Sequence, residues 1–322
     1  MIQKEQKVCE KRLKYKKKPF KNFIEIIPEK KGEYDYITDI IELSNKKIAI
    51  SSYSQYISIV DSKNFNSIIN IEGNRNGILK LLEIKINNTK ILIGTSHHMI
   101  YLYNIENNYE KINEISENLI GSIISIVYNS NTNLLYIGCD NSLIHILKFN
   151  ENNLNPNFIN SFNSNYNSPI KSLCLFSPEN KILFVGTGSG KLIKYNIENN
   201  FEKIAFLNFR ISHLTQMIQI NNNNIAINSW GGSIFIVKIN EFIVEYEITI
   251  VLNCPVNNFA FFNDNKEIFI ACEFGIFVYY DFENKKLISK YYTQNSQRAK
   301  RVFINSDKDL FFILGNSRIF KC

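Results

Sequence analysis

A four-residue apolar stretch, in most copies ending on a small or polar residue, recurs seven times along the 322 residues of this chain. It reads Ile48-Ala49-Ile50-Ser51, Ile91-Leu92-Ile93-Gly94, Leu135-Tyr136-Ile137-Gly138 and Leu183-Phe184-Val185-Gly186. It continues as Ile225-Ala226-Ile227-Asn228, Ile268-Phe269-Ile270-Ala271 and Phe311-Phe312-Ile313-Leu314. Successive copies begin 43, 44, 48, 42, 43 and 43 residues apart. A fixed period of this length marks a repeat architecture, in which no unit can bury its apolar face alone and neighbours must stack.

The order of elements inside each unit repeats as well. A strand such as 123–128 precedes the repeated stretch, and a hairpin turn then leads to a third strand, for example Leu192-Ile193-Lys194-Tyr195-Asn196. A fourth strand ends the unit, and Asn, Gly and Ser mark the turns between strands. No sustained helical period competes with this pattern. Four short strands at about 40–45 residues per unit predict an all-β, seven-bladed β-propeller. The 48-residue spacing falls at the Asn-rich stretch 150–168, which is expected to form a long loop. The seventh unit reaches only its third strand, at Ile319-Phe320-Lys321-Cys322. Residues 20–27, ahead of the first unit, are expected to supply the missing strand; pairing of the N-terminal and C-terminal strands closes the ring and removes exposed edges. The organisation expected is therefore a basic tail over 1–19 and one propeller over 20–322.

The chain is 45% hydrophobic, ample for a buried core, and rich in the β-branched and aromatic residues that favour strands. Its six cysteines are scattered with no C-x-x-C pair, so a disulfide framework is not expected and a reducing compartment is. No apolar run approaches the ~18 residues of a membrane helix, and the N-terminus has no secretory apolar core. No membrane contact is expected. The net charge of +7 is unevenly placed. Residues 1–22 hold nine basic and two acidic side chains, leaving 28 of each sign in the body. The run Lys11, Arg12, Lys14, Lys16, Lys17 and Lys18 reads as an import signal or a salt-sensitive contact to nucleic acid.

Motifs with chemical content are few. Gly186-Thr187-Gly188-Ser189-Gly190-Lys191 has the wrong glycine spacing for a phosphate loop and is followed by a strand, so it reads as a hairpin turn. Adjacent His97 and His98 would point to opposite faces of a strand, and His145 and His213 are isolated in sequence, so no metal site is expected. No nucleophile constellation is present; the chain is expected to be no enzyme and to need no cofactor. The single tryptophan, Trp230, falls at a hairpin turn of the fifth unit. Equivalent turns carry Tyr53, His97 and His98, Asp140, and Phe274. In a ring these turns gather on one face, where aromatics serve as binding anchors; packing between blades is the alternative for Trp230.

The blades resemble WD-repeat blades, the closing dipeptide surviving as Val60-Asp61, Tyr103-Asn104, Tyr195-Asn196 and Tyr280-Asp281, without the usual Gly-His. The sixth unit carries Pro255-Val256-Asn257-Asn258-Phe259-Ala260-Phe261, then Phe274-Gly275-Ile276-Phe277-Val278-Tyr279-Tyr280-Asp281 and Asn284-Lys285-Lys286-Leu287. The first adds Ile37-Thr38-Asp39-Ile40 and Ser51-Ser52-Tyr53; the fifth adds Arg210-Ile211-Ser212-His213-Leu214. These segments resemble the Bub-type and Rae-type propellers of the mitotic checkpoint and mRNA export. The resemblance implies a nuclear docking platform, at kinetochore or nuclear pore, for a short peptide of a checkpoint kinase or nucleoporin. Its contacts would be Tyr53, His98, Asp140, Arg210, Trp230 and Phe274. The sequence departs from that family at Ser233 and near Met217, where it has arginines. The alternative is a structural subunit of a ribonucleoprotein complex (ribosome biogenesis or splicing) with its tail on RNA; for localisation the alternative is the cytoplasm.

Overall fold

The computed structural model describes residues 24–26, 36–53, 56–63, 67–73, 77–150, 153–176, 180–209, 213–249, 254–293, 298–314 and 319–321. They form seven four-stranded antiparallel sheets, which are the seven blades of a β-propeller. Blade one comprises Ile37–Glu42, Lys47–Ser52, Tyr56–Asp61 and Ser67–Glu72, in that order from the channel outward. The recurring tetrapeptide is the second strand of every blade. Covered by a neighbouring blade on each side, it is apolar at nearly every position rather than at alternate ones, as in Lys47–Ser52 and Glu267–Cys272. Outermost strands such as Glu110–Ile115 and Glu202–Asn208 are half exposed and mixed in composition.

The hydrophobic core is divided among the seven junctions between blades. Ile37, Ile40, Ile48 and Val60 of blade one pack on Phe311, Ile313 and Ile319 of blade seven. On its other side, blade one sends Ala49, Ile57 and Ile59 against Leu92, Tyr101 and Tyr103 of blade two. Each fully buried Ile or Phe contributes about 1.5–3 kcal/mol, so every blade is stabilised mainly by its neighbours.

Blade seven is assembled from both ends of the chain: Ile24–Ile26 pairs antiparallel with Ile319–Lys321, in the register Ile24↔Lys321 and Ile26↔Ile319. The closing strand predicted over 20–27 is therefore present at 24–26. The loop expected over 150–168 is corrected: Asn153–Asn163 is an eleven-residue strand, the outermost of blade three, with register shifts that absorb the extra length. Asparagine is a poor strand former on propensity, but ladder pairing with Leu143–Asn150 overrides that preference here.

A belt of polar side chains on the innermost strands ties blade to blade. Asp39 Oδ2 accepts from Leu81 N at 3.0 Å, linking blade one to two. Ser125 Oγ donates to Ile170 O at 3.2 Å, and Ser172 Oγ to Leu214 O at 2.7 Å. The Gln216 amide bonds both Phe259 O, at 3.1 Å, and Phe259 N, at 2.9 Å. Asn258 Oδ1 accepts from Val302 N at 2.8 Å, and Arg301 Nη1 closes the circle on Asp39 Oδ1 at 2.6 Å. In these six blades the ladder is bulged just before the belt residue, as between Ile37 and Asp39. Blade two has no such bulge, and the position is Leu81. Leucine has no side-chain donor or acceptor to bond blade three; a backbone bond from Ile123 N to His97 O, 2.8 Å, joins the two blades near the axis instead. Gly138 and Gly186 stand opposite two belt serines, where an added Cβ would lie 2.4 Å from Ser125 Oγ or Ser172 Oγ.

Candidate functional site

The hairpin between second and third strands, and the connector between blades, lie on one face of the ring. That face is built alike in blade after blade. The first residue beyond the second strand donates its backbone N–H to the residue preceding the first strand: Tyr53 to Tyr36, Asp140 to Ser122, Gly188 to Pro169, Trp230 to His213 and Glu273 to Pro255. The side chains of these residues or their neighbours are thereby held at the surface.

Tyr53, Trp230 and Phe274 are exposed, at 49%, 44% and 48%. Each is fixed differently. The connector to blade two passes directly over Tyr53 at Gly77, where a Cβ would sit 2.6 Å from Tyr53 Cα and φ is +76°. Trp230 stands edge-on to His213, centroids 4.6 Å apart, so it lies on the face rather than between blades. Phe274 occupies the left-handed region, φ 61°, within the single turn Glu273–Gly275. A left-handed non-glycine residue costs about 1–2 kcal/mol, and such outliers concentrate at binding sites. Glu273 beside it is clamped by Arg298 Nε at 3.0 Å.

His98 and Asp140 are also exposed, and they converge on one segment. His98 Nδ1 lies 2.9 Å from Gly121 O, and Asp140 Oδ1 accepts from Ser122 N at 2.8 Å. His97 Nδ1 reaches Ser122 Oγ at 3.1 Å, and buried His145 places Nε2 2.9 Å from Ile120 O. The expectation that His97 and His98 lie on a strand and oppose each other is corrected. They follow the strand Thr89–Thr95 on a bend, and both rings turn to the 120–122 connector. His145, isolated in sequence, joins them. Three of the four histidines thus hold the blade two–three connector, where the belt is broken. Among the described residues no three His, Cys, Asp or Glu side chains are placed to share a metal ion.

The stretch 186–191 is a hairpin turn: Ile182–Thr187 and Lys191–Asn196 flank it, and Thr187 Oγ1 accepts from Lys191 N at 3.0 Å. Burial pushes the Cys139 thiol up to about 12, with Asp140 adding to the effect, and the Cys174 thiol up to about 11. Neither is a thiolate nucleophile near neutral pH. Arg210 and the basic run Lys11 to Lys18 lie outside the described residues.

Sequence reasoning missed the cationic channel mouth beside this face. The residues just before the belt positions are Thr38, Lys80, Ile124, Lys171, Thr215, Asn257 and Lys300, three of them lysines. Burial lowers the Lys80 and Lys300 pKa values, and Arg301 lowers both further; Asp39 acts oppositely on Lys80 and Glu273 on Lys300. The belt had a findable signal: Asp39, Ser125, Ser172, Gln216, Asn258 and Arg301 each precede the apolar tetrapeptide by nearly the same offset.

Residues 53–298, about three-quarters of the chain, match the family described as RSE1/DDB1/CPSF1 second beta-propeller. No curated protein matches the chain.

Proposed function

The chain belongs to the RSE1/DDB1/CPSF1 second β-propeller family, and from that membership we propose that it is a non-enzymatic interaction scaffold whose hairpin face docks a short segment of a partner protein. The observation that carries the reading is the exposure of Tyr53, Trp230 and Phe274 at equivalent hairpins of three blades, Phe274 in a strained backbone state. Large aromatics on rigid turns lose little conformational freedom on binding and act as anchors for a partner. In the finer form of this proposal the partner is a peptide of a checkpoint kinase or nucleoporin, and the protein works in the nucleus. Arg210 and Asp140 would then read its charged residues.

A second reading is favoured by the charge distribution, with nine basic residues in 1–22 and a neutral body. In it the ring is a structural subunit of a ribonucleoprotein complex, and the tail lies on RNA. Affinity purification of the full chain beside its Trp230→Ala/Phe274→Ala variant tests both. Proteins lost selectively from the variant support face docking. RNase-sensitive, salt-sensitive association that the variant retains supports the RNA reading, and identical recovery in both purifications overturns the aromatic site.

A further inference from the structure

The channel mouth presents a charge imbalance that the protein does not neutralise. Lys80 and Lys300 begin the innermost strands Lys80–Ile86 and, one residue in, Ala299–Ile304, on either side of blade one. Both are half-buried, and burial disfavours their charge. Arg301 lies between them, close enough to act electrostatically on each, and Arg298 acts on Lys300. Two carboxylates oppose these four cations, and both are engaged: Asp39 by Arg301 and Glu273 by Arg298. Among the described residues neither ammonium group has an ion pair or a hydrogen bond. Lys171, at the equivalent position of blade four across the ring, is likewise unpaired.

Unpaired, partly desolvated cations of one sign repel one another, and a ligand of opposite charge removes that cost while gaining charge-assisted hydrogen bonds. The ligand must be compact, because the cations stand at the starts of innermost strands around the ring axis. It must also carry several charges, because three strands contribute. We infer that the hairpin-side mouth of the channel binds a compact polyphosphate, held by Lys80, Lys300 and Arg301 with Lys171 facing them. The site is independent of the aromatic docking surface, since none of its residues is an anchor there.

Inositol hexakisphosphate is the probe, titrated calorimetrically and by thermal shift into the full chain at physiological salt. Binding is expected to raise Tm by several degrees, and Lys80→Gln/Lys300→Gln is expected to weaken affinity about tenfold or more. That variant relieves the burial penalty on both charges, so it is expected to fold at least as stably without ligand. Two full-chain controls separate the mouth from ordinary surface charge. Lys203→Gln, on the outermost strand of blade four, and glutamine at Lys11, Arg12, Lys14, Lys16, Lys17 and Lys18 should both keep the affinity.

An affinity that follows the tail variant and ignores the mouth variant overturns the proposal. So does inorganic phosphate that raises Tm equally at equal phosphate concentration, or an oligoglutamate peptide that competes as well as the probe. Phosphatidylcholine vesicles with and without phosphatidylinositol bisphosphate distinguish the sources. Mouth-dependent sedimentation with the charged vesicles assigns a lipid headgroup, and mouth-dependent binding of the soluble probe alone assigns a free polyphosphate.

Discussion

Arg301 of the last blade and Asp39 of the first meet at 2.6 Å, and both side chains are largely buried. Asp39 also receives Leu81 N and the N–H of Ile40, so a single carboxylate joins three blades. Removing one partner of such a pair leaves the other charge buried and uncompensated, which costs about 3–5 kcal/mol. Arg301→Met and Asp39→Leu are each expected to destabilise by that amount in urea unfolding. Asp39→Asn, which keeps an acceptor for Leu81 N, should cost less than Asp39→Leu.

Gly186 and Ser172 are coupled by space rather than charge. A methyl group at residue 186 would meet Ser172 Oγ at 2.4 Å and Leu214 Cβ at 3.1 Å. Gly186→Ala should therefore destabilise by about 1–3 kcal/mol, the usual range for overpacking. Adding Ser172→Ala frees the first contact and should recover part of that loss. A double-mutant cycle measures the coupling, and strict additivity would contradict the geometry.

His213 and Trp230 supply an optical readout. Burial, with Lys171 as the smaller cause, holds the His213 imidazole below its ordinary 6.5. Folding thus favours the neutral ring, and the unfolded chain takes up its proton first as pH falls. The group's contribution to stability declines below 6.5 and levels off once the folded imidazole is also protonated. Emission from the sole tryptophan, 4.6 Å from the ring, should titrate with a midpoint under 6.5. His213→Asn should abolish that titration, since asparagine tolerates the left-handed φ of 57° at this position.

Ring closure rests on the pairing of Ile24–Ile26 with Ile319–Lys321. A chain lacking residues 1–27 should melt at lower temperature and lose more than about 2 kcal/mol. Calorimetry checks this: the whole transition should shift, because every blade is stabilised by its neighbours. A transition unchanged in midpoint and cooperativity would show that the strand does not hold the ring.

The second strands were legible because burial on both faces leaves them no compositional freedom: Phe184 and Ile227 are fully buried in the core between blades four and five. Blade number, strand order and closure follow from their spacing. The composition of 150–168 suits a loop, and the pairing that makes Asn153–Asn163 a strand is set by the blade around it. The hairpin anchors were readable as positions, since a turn after each tetrapeptide has a fixed place in a ring. The belt was hidden by chemistry: Asp, Ser, Gln, Asn and Arg perform one task with different donors and acceptors. The histidine cluster was hidden by distance, because His145 meets the 120–122 connector only after blade three has folded.

The missing belt link at Leu81 makes the ring mechanically uneven. Six junctions carry a side-chain strut near the axis, and the seventh has in its place a connector held by His97, His98 and His145. Under load, or when the ring breathes, fracture should start between blades two and three. The seam where the ends of the chain meet is locked by an ion pair and a shared sheet. Such a ring would open away from its clasp, with both chain ends still fastened together.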